Sequence, residues 1–197
     1  MDPGPERGER GERCERCLFQ RRVCLCGEVP ALPSRTRIVI VRHHLERWRS
    51  SNTGRLAHLA LPNSEIVDYG GGEPPRLPDL TGAWLLYPEG PAVDLVTPPA
   101  QLVVLDATWS QARRMYRKLG ALRGLPTLRL PEGPMAAARL RESPGPGRVS
   151  TIEAIAGALR FLEGDAGEAA AEALERLFGA AVACAAATGR NVLPISS

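Results

Sequence analysis

The chain has 197 residues, of which 44% are hydrophobic, enough to bury one substantial core and at most a small appendage. No apolar run approaches the length of a membrane span, and the N-terminus is charged and Gly-rich rather than signal-like, so a soluble cytoplasmic protein is expected. A net charge of +3 does not announce a nucleic-acid partner, but Lys118 is the only lysine, and arginine is the side chain suited to bidentate phosphate contact.

Residues 1–12 are mostly Gly, Glu, Arg and Pro and are expected to be a disordered tail. Cys14, Cys17, Cys24 and Cys26 follow, spaced C-x2-C-x6-C-x-C. Four such closely spaced cysteines, in a chain without a secretion signal, fit a tetrahedral structural zinc site better than disulfides or a redox dithiol. Segment 13–34, closed by the linker Pro30 to Pro33, is therefore assigned to metal binding and 35–197 to the main domain. Arg13, Arg16, Arg21 and Arg22 would offset the charge of the thiolates. Cys184 stands alone in an alanine-rich helix and is read as a small buried residue.

Arg37 to Val41 is the first predicted strand, ending at the polar cluster Arg42, His43, His44 and Glu46. Asn52 and Thr53 are good caps for a helix running to Leu61. Strands at 65–69 and 84–87 come next, the first closed by three glycines and the second broken by Pro88. Leu102 to Leu105 then run into Asp106, Ala107, Thr108 and Trp109. Such an apolar run predicts a strand buried on both faces of a parallel sheet. Thr108 with Gln111 predicts a capping box opening a helix to Leu122 that carries Arg113, Arg114, Arg117 and Lys118. Successive residues turn by about 100°, so these four charges are not expected to share one face.

A short strand at 127–130 and a Pro/Gly-rich loop at 143–147 lead to a second capping box, Ser150 with Glu153, and two helices at 151–163 and 166–187. Alternating strands and helices predict an α/β class with a mainly parallel sheet and flanking helices. Open sheets of this class bind ligands at the carboxyl ends of their strands, where Asp106 falls. The competing reading is that Asp106 only caps a helix and Trp109 only packs. No GxGxxG fingerprint, P-loop, nucleophile elbow or HExxH helix is present, so hydride transfer, NTP hydrolysis and those hydrolase chemistries lose their usual support.

The four cysteines, Asn52-Thr53-Gly54-Arg55-Leu56-Ala57, Leu85-Leu86-Tyr87-Pro88-Glu89, Asp106-Ala107-Thr108-Trp109 and Ser150-Thr151-Ile152-Glu153-Ala154 occur in an order that resembles the DTW-domain family. The resemblance runs from about residue 13 to the last helix, and the compact length is similar to the bacterial members. It implies a tRNA-uridine aminocarboxypropyltransferase, moving the 3-amino-3-carboxypropyl group of S-adenosylmethionine to N3 of a uridine and releasing methylthioadenosine. It also implies a SPOUT-like, knotted sheet.

Under that resemblance Asp106, Thr108 and Trp109 become catalytic candidates, with Asp106 either removing the N3 proton or orienting a substrate. Leu86, Tyr87, Pro88, Glu89, Asp106, Trp109, Ser150, Thr151 and Glu153 are candidates to hold S-adenosylmethionine, Arg148 being a possible carboxylate partner or only a solvated arginine. His43, Arg55, Arg113, Arg114 and Arg117 are candidates for tRNA contact. Two alternatives stay open: a SPOUT-like RNA methyltransferase, and a non-catalytic zinc-stabilised RNA-binding module. No membrane partner is expected, and the sequence does not fix an oligomeric state.

Overall fold

The computed structural model describes residues 13–88, 98–130 and 149–188, together with the backbone of two short strands at 138–139 and 193–194. The tail at 1–12, Glu89, Arg148 and the loop at 143–147 lie outside the described residues.

Five strands form one all-parallel sheet: β1 (Arg37–His43), β2 (Ser64–Tyr69), β3 (Ala83–Leu86), β4 (Gln101–Asp106) and β5 (Thr127–Leu128), in the order β2-β1-β4-β3-β5. A separate two-stranded antiparallel pair joins β6 (Ala138–Arg139) to β7 (Leu193–Pro194). The helices are α1 (Thr53–Ala60), α2 (Trp109–Lys118), α3 (Gly120–Arg123), α4 (Thr151–Glu163) and α5 (Asp165–Ala187).

Both faces of the sheet are covered, as the uninterrupted apolar strands require. Ile38 and Ile40 of β1 and Leu102 and Val104 of β4 point toward α1, α4 and α5. Val39, Val41 and Val103 point the other way, packing with Leu85, Met115 and Leu122. Helices α4 and α5 form a close antiparallel pair. At Gly167 a Cβ would meet the Leu159 carbonyl at 2.0 Å, so only glycine permits this approach.

The cysteine segment is not an independent appendage. Cys17, Phe19 and Leu25 are buried in the same apolar cluster as α1, α4 and α5, so its side chains complete the main core.

One element departs from expectation. The helix predicted over 108–122 is two helices, because Leu119 takes an extended conformation (φ −88°, ψ 96°) between them. Its N–H still closes α2 on the Met115 carbonyl, while its side chain packs into the second apolar cluster.

Candidate active site

The strand order creates a switch point. From β1 the chain passes through α1 to β2 on one side, and from β4 through α2 and α3 to β5 on the other. These connections cover opposite faces and move apart from the seam between β1 and β4. Crevices of this kind, at the carboxyl ends of the strands, are where doubly wound sheets bind ligands. Arg42 and Asp106 are register partners across the seam at its carboxyl end.

Asp106 is completely buried. Asn52, the N-cap of α1, donates from Nδ2 to Oδ2, and Thr151, the first residue of α4, donates from Oγ1 to Oδ1 at 2.7 Å. A Cβ at Gly54 would lie 2.6 Å from both Cγ and Oδ2 of Asp106, so the helix backbone comes as close as glycine allows. The carboxylate thus sits between the N-terminal turns of two helices, where backbone partial positive charge favours an anion. Asn52 also accepts the Arg55 N–H at 2.8 Å, so capping α1 and holding Asp106 are done by one side chain.

Beside this carboxylate, Arg42 is buried and makes a bidentate pair with Asp68, at 2.7 Å from Nε and 3.0 Å from Nη2. Asp68, Arg42 and Asp106 occupy one register row across β2, β1 and β4. An arginine between two aspartates offsets charge that burial would otherwise penalise.

The other candidates are distributed around this centre. Thr108 is exposed and forms the expected capping box with Gln111, its N–H donating to Oε1 at 2.9 Å. Trp109 opens α2 and is half-buried. Tyr87 is buried with its ring stacked on Tyr116 at 4.8 Å, on the face of the sheet away from α1 and α4. Leu86 pairs in register with Val104, so the exposed Pro88 lies beyond the same strand edge as Asp106. Ser150 and Glu153 form the second capping box, with the Ser150 N–H donating to Glu153 at 2.7 Å. The structure therefore brings Thr151 directly to Asp106 and gives Ser150, Glu153 and Thr108 defined capping contacts.

Arg113, Arg114, Arg117 and Lys118 are all exposed. They form two i, i+4 pairs, and four such positions span an arc of only about 140°. His43, at the end of β1, has its ring 4.8 Å from His44. Burial, then the neighbouring His44 charge, lowers its pKa, with Arg114 adding to the effect. Arg55 is half-buried and acts as a tie, donating to the Arg47 carbonyl at 2.7 Å and reaching the Arg16 carbonyl at 3.4 Å.

The sulfurs of Cys14, Cys17, Cys24 and Cys26 all lie within 4.8 Å of one another, and none is in a disulfide. Cys14 and Cys26 are 3.5 Å apart and Cys17 and Cys24 3.7 Å. A tetrahedral ion with metal–sulfur bonds of about 2.3 Å requires sulfur separations of roughly 3.8 Å, so the cluster fits one. The Cys17 backbone N–H, the largest influence, draws the Cys14 thiol down to about 6, whereas burial pushes Cys26 up to about 12. Filling the site would therefore expel protons from the remaining thiols.

Sequence reasoning identified Asp106 and Thr151 but not their relation. It saw Asn52 only as a cap, and it missed the Arg42–Asp68 pair and the approach of Gly54. The partners of Asp106 lie 54 and 45 residues away, beyond any local pattern.

Fold and site together define an α/β protein whose parallel sheet carries a buried carboxylate at its switch point, with a four-cysteine cluster joined to the same apolar core. The chain belongs to the DTW domain family, matching that domain over residues 11–185. It is 32% identical over 157 residues to tRNA-uridine aminocarboxypropyltransferase 2 of Drosophila melanogaster, covering 72% of this chain and 62% of that protein. Identity to tRNA-uridine aminocarboxypropyltransferase A of Arabidopsis thaliana is 28% over 190 residues, covering 74% and 70%. The macaque (Macaca fascicularis) tRNA-uridine aminocarboxypropyltransferase 2 is 29% identical over 160 residues, covering 73% of this chain and 54% of that protein. The chain thus spans between about half and two-thirds of the insect and macaque relatives. No solved structure gives a significant match.

Proposed function

We propose that this protein transfers the 3-amino-3-carboxypropyl group of S-adenosylmethionine to N3 of a tRNA uridine, in the crevice between the carboxyl ends of β1 and β4. The observation that carries this reading is the buried Asp106, clamped by Asn52 and Thr151 at the switch point of a DTW domain. The names of the relatives supply the reaction class. A SPOUT-like, knotted path belongs to the same reading.

In the reaction a new N3–Cγ bond forms as the Cγ–sulfur bond breaks; the electron pair of that bond stays on the sulfur of methylthioadenosine and the N3 proton passes to solvent. Asp106 acts here mainly as an organiser, because both of its oxygens already accept hydrogen bonds and no part of it meets solvent. It fixes the N-termini of α1 and α4 around the crevice, so that the β3–β4 edge and the start of α4 present a preformed wall to the donor. In this reading Leu86, Tyr87, Pro88 and Glu89, with Trp109, Ser150, Thr151 and Glu153, are the candidates to hold S-adenosylmethionine; the indole of Trp109 suits a cationic sulfur. Arg113, Arg114 and Arg117, with His43 and Arg55, supply the tRNA track. Zinc at the four cysteines is structural, since four thiolates leave no open coordination position.

The test is incubation with S-adenosylmethionine and unmodified tRNA, followed by mass analysis of nucleosides and small molecules. A uridine carrying the aminocarboxypropyl group, with methylthioadenosine released, is the expected result. A methylated nucleoside with S-adenosylhomocysteine would reverse the orientation of the sulfonium, and no reaction across several tRNA pools would replace the enzyme by an RNA-binding module.

A further inference from the structure

Between β1 and α1 the chain makes a short excursion that exposes side chains a folded protein ordinarily buries. Trp48 is 64% exposed and Leu45 49% exposed, among the most exposed large apolar side chains of the described residues. The segment is nevertheless held firmly. Glu46 is buried with Arg49 3.7 Å away, and the Arg49 N–H donates to the Glu46 carbonyl at 3.2 Å. The Arg47 carbonyl accepts from Arg55, and the Arg47 guanidinium lies 3.8 Å from Asp68. An exposed indole on a backbone anchored at three points has the character of a binding surface rather than of a slack loop.

The chemistry of the surroundings selects the partner. The Arg47 guanidinium sits 5.0 Å from the centre of the Trp48 ring, backing it with positive charge. Arg47 and Arg49 flank the indole in sequence and are both exposed. Arg55 links the segment to Arg16 of the cysteine region, where Arg16, Arg21 and Arg22 are exposed. The indole therefore stands among arginines of its own segment that are tied to those of the cysteine region. It is also close to the crevice: the Asn52 N–H donates to the Arg49 carbonyl at 3.1 Å, and the Asn52 side chain reaches Asp106.

We propose that Trp48, with Arg47 and Arg49, is a stacking ledge for an unpaired nucleobase of the RNA that neighbours the base delivered to the Asp106 crevice. This rests on the reading of tRNA as substrate and adds the residue that receives a single-stranded loop. Stacking on an indole accepts any base, because each has a π-face, while the arginines take the adjoining phosphates. Affinity at the ledge thus tracks whether the RNA there is unpaired, not which base it carries.

The experiment compares wild type, Trp48→Ala and Trp48→Phe for binding of unmodified tRNA across a salt series, with a fully paired RNA stem as control. Trp48→Ala is expected to weaken tRNA binding about tenfold at every salt concentration. The salt slope should stay the same, since stacking releases no counterions. Trp48→Phe should recover most of the loss, the paired stem should bind all three alike, and melting temperatures should agree. Equal tRNA affinity for wild type and Trp48→Ala would overturn the ledge while leaving the transferase reading intact. So would a phenylalanine variant as weak as the alanine one. A wild-type dimer dissolved by Trp48→Ala without change in tRNA affinity would reassign the surface to self-association. Wild type that binds no tRNA at all would remove both the ledge and the proposed substrate.

Discussion

The hydroxyl of Thr151 donates to Oδ1 of Asp106 at 2.7 Å, joining the start of the C-terminal helix pair to the last residue of the central strand. With Asn52 on the other oxygen, this one carboxylate connects three elements separated in sequence. Thr151→Val removes a donor and leaves a buried carboxylate oxygen without that bond, which is expected to cost about 1–3 kcal/mol. Thr151→Ser should retain most of the stability. Urea unfolding of both variants checks this, and equal stability of wild type and the valine variant would show that the bond carries no energy.

Asp106→Asn is expected to abolish detectable transfer while leaving tRNA binding within a few-fold. The amide sets an NH2 against one of two donors, disturbing the alignment of α1 and α4 at the crevice. Single-turnover rates and tRNA affinity measured on one preparation separate these effects. Full turnover by the asparagine variant would exclude a required carboxylate there.

Gly54→Ala tests the closest approach in the site. Alanine gains up to about 1 kcal/mol of helix propensity over glycine. Its Cβ would stand 2.6 Å from the Asp106 carboxyl, however, and overpacking of this kind typically costs about 1–3 kcal/mol. Net destabilisation with reduced activity is expected by thermal unfolding and turnover; a stabilised, active variant would mean that α1 has room to shift.

The four-cysteine cluster should hold one zinc ion, measurable by metal analysis of the purified protein. Cys17, Phe19 and Leu25 belong to the main core, so chelation or Cys14→Ser should lower the melting temperature of the whole domain rather than melt a separate segment. A protein indifferent to chelation and mutation alike would rule out the metal.

Acid should weaken the fold through His58. Burial, the largest influence, lowers its pKa below 6.5. The ring lies 2.8 Å from the Ser64 hydroxyl, which itself donates to the Leu61 carbonyl, so Nδ1 of the neutral ring is the donor. A depressed pKa in the folded state gives a contribution present above the unfolded value and lost as pH falls through the folded one. Stability should therefore decline on acidification below about pH 6.5, and His58→Gln should flatten that decline in urea unfolding at pH 7.5 and 5.5. An unchanged slope would assign the acid sensitivity elsewhere.

Much of the fold was legible because it is written locally. The apolar runs at 38–41 and 102–105 mark strands buried on both faces, and the capping boxes at Thr108 and Ser150 mark the starts of α2 and α4. The cysteine spacing marks a four-ligand cluster because neighbouring turns of a short chain bring the four sulfurs within 4.8 Å of one another. Each of these signals spans a few residues, and backbone geometry alone turns it into structure.

Long-range placement was decided by the tertiary structure. Asp106 stands at a strand end in the sequence, but only the order β2-β1-β4-β3-β5 puts that end at a switch point. Only the packing of α1 and α4 on one face brings Asn52, Gly54 and Thr151 to the carboxylate. Trp48 likewise carries no local signal of its exposure; only the fold buries Glu46 and leaves the indole in solvent. The sequence determines which groups are available and which elements carry them. Contacts between residues some 50 positions apart depend instead on how those elements pack to bury their apolar faces, and packing is a property of the whole chain.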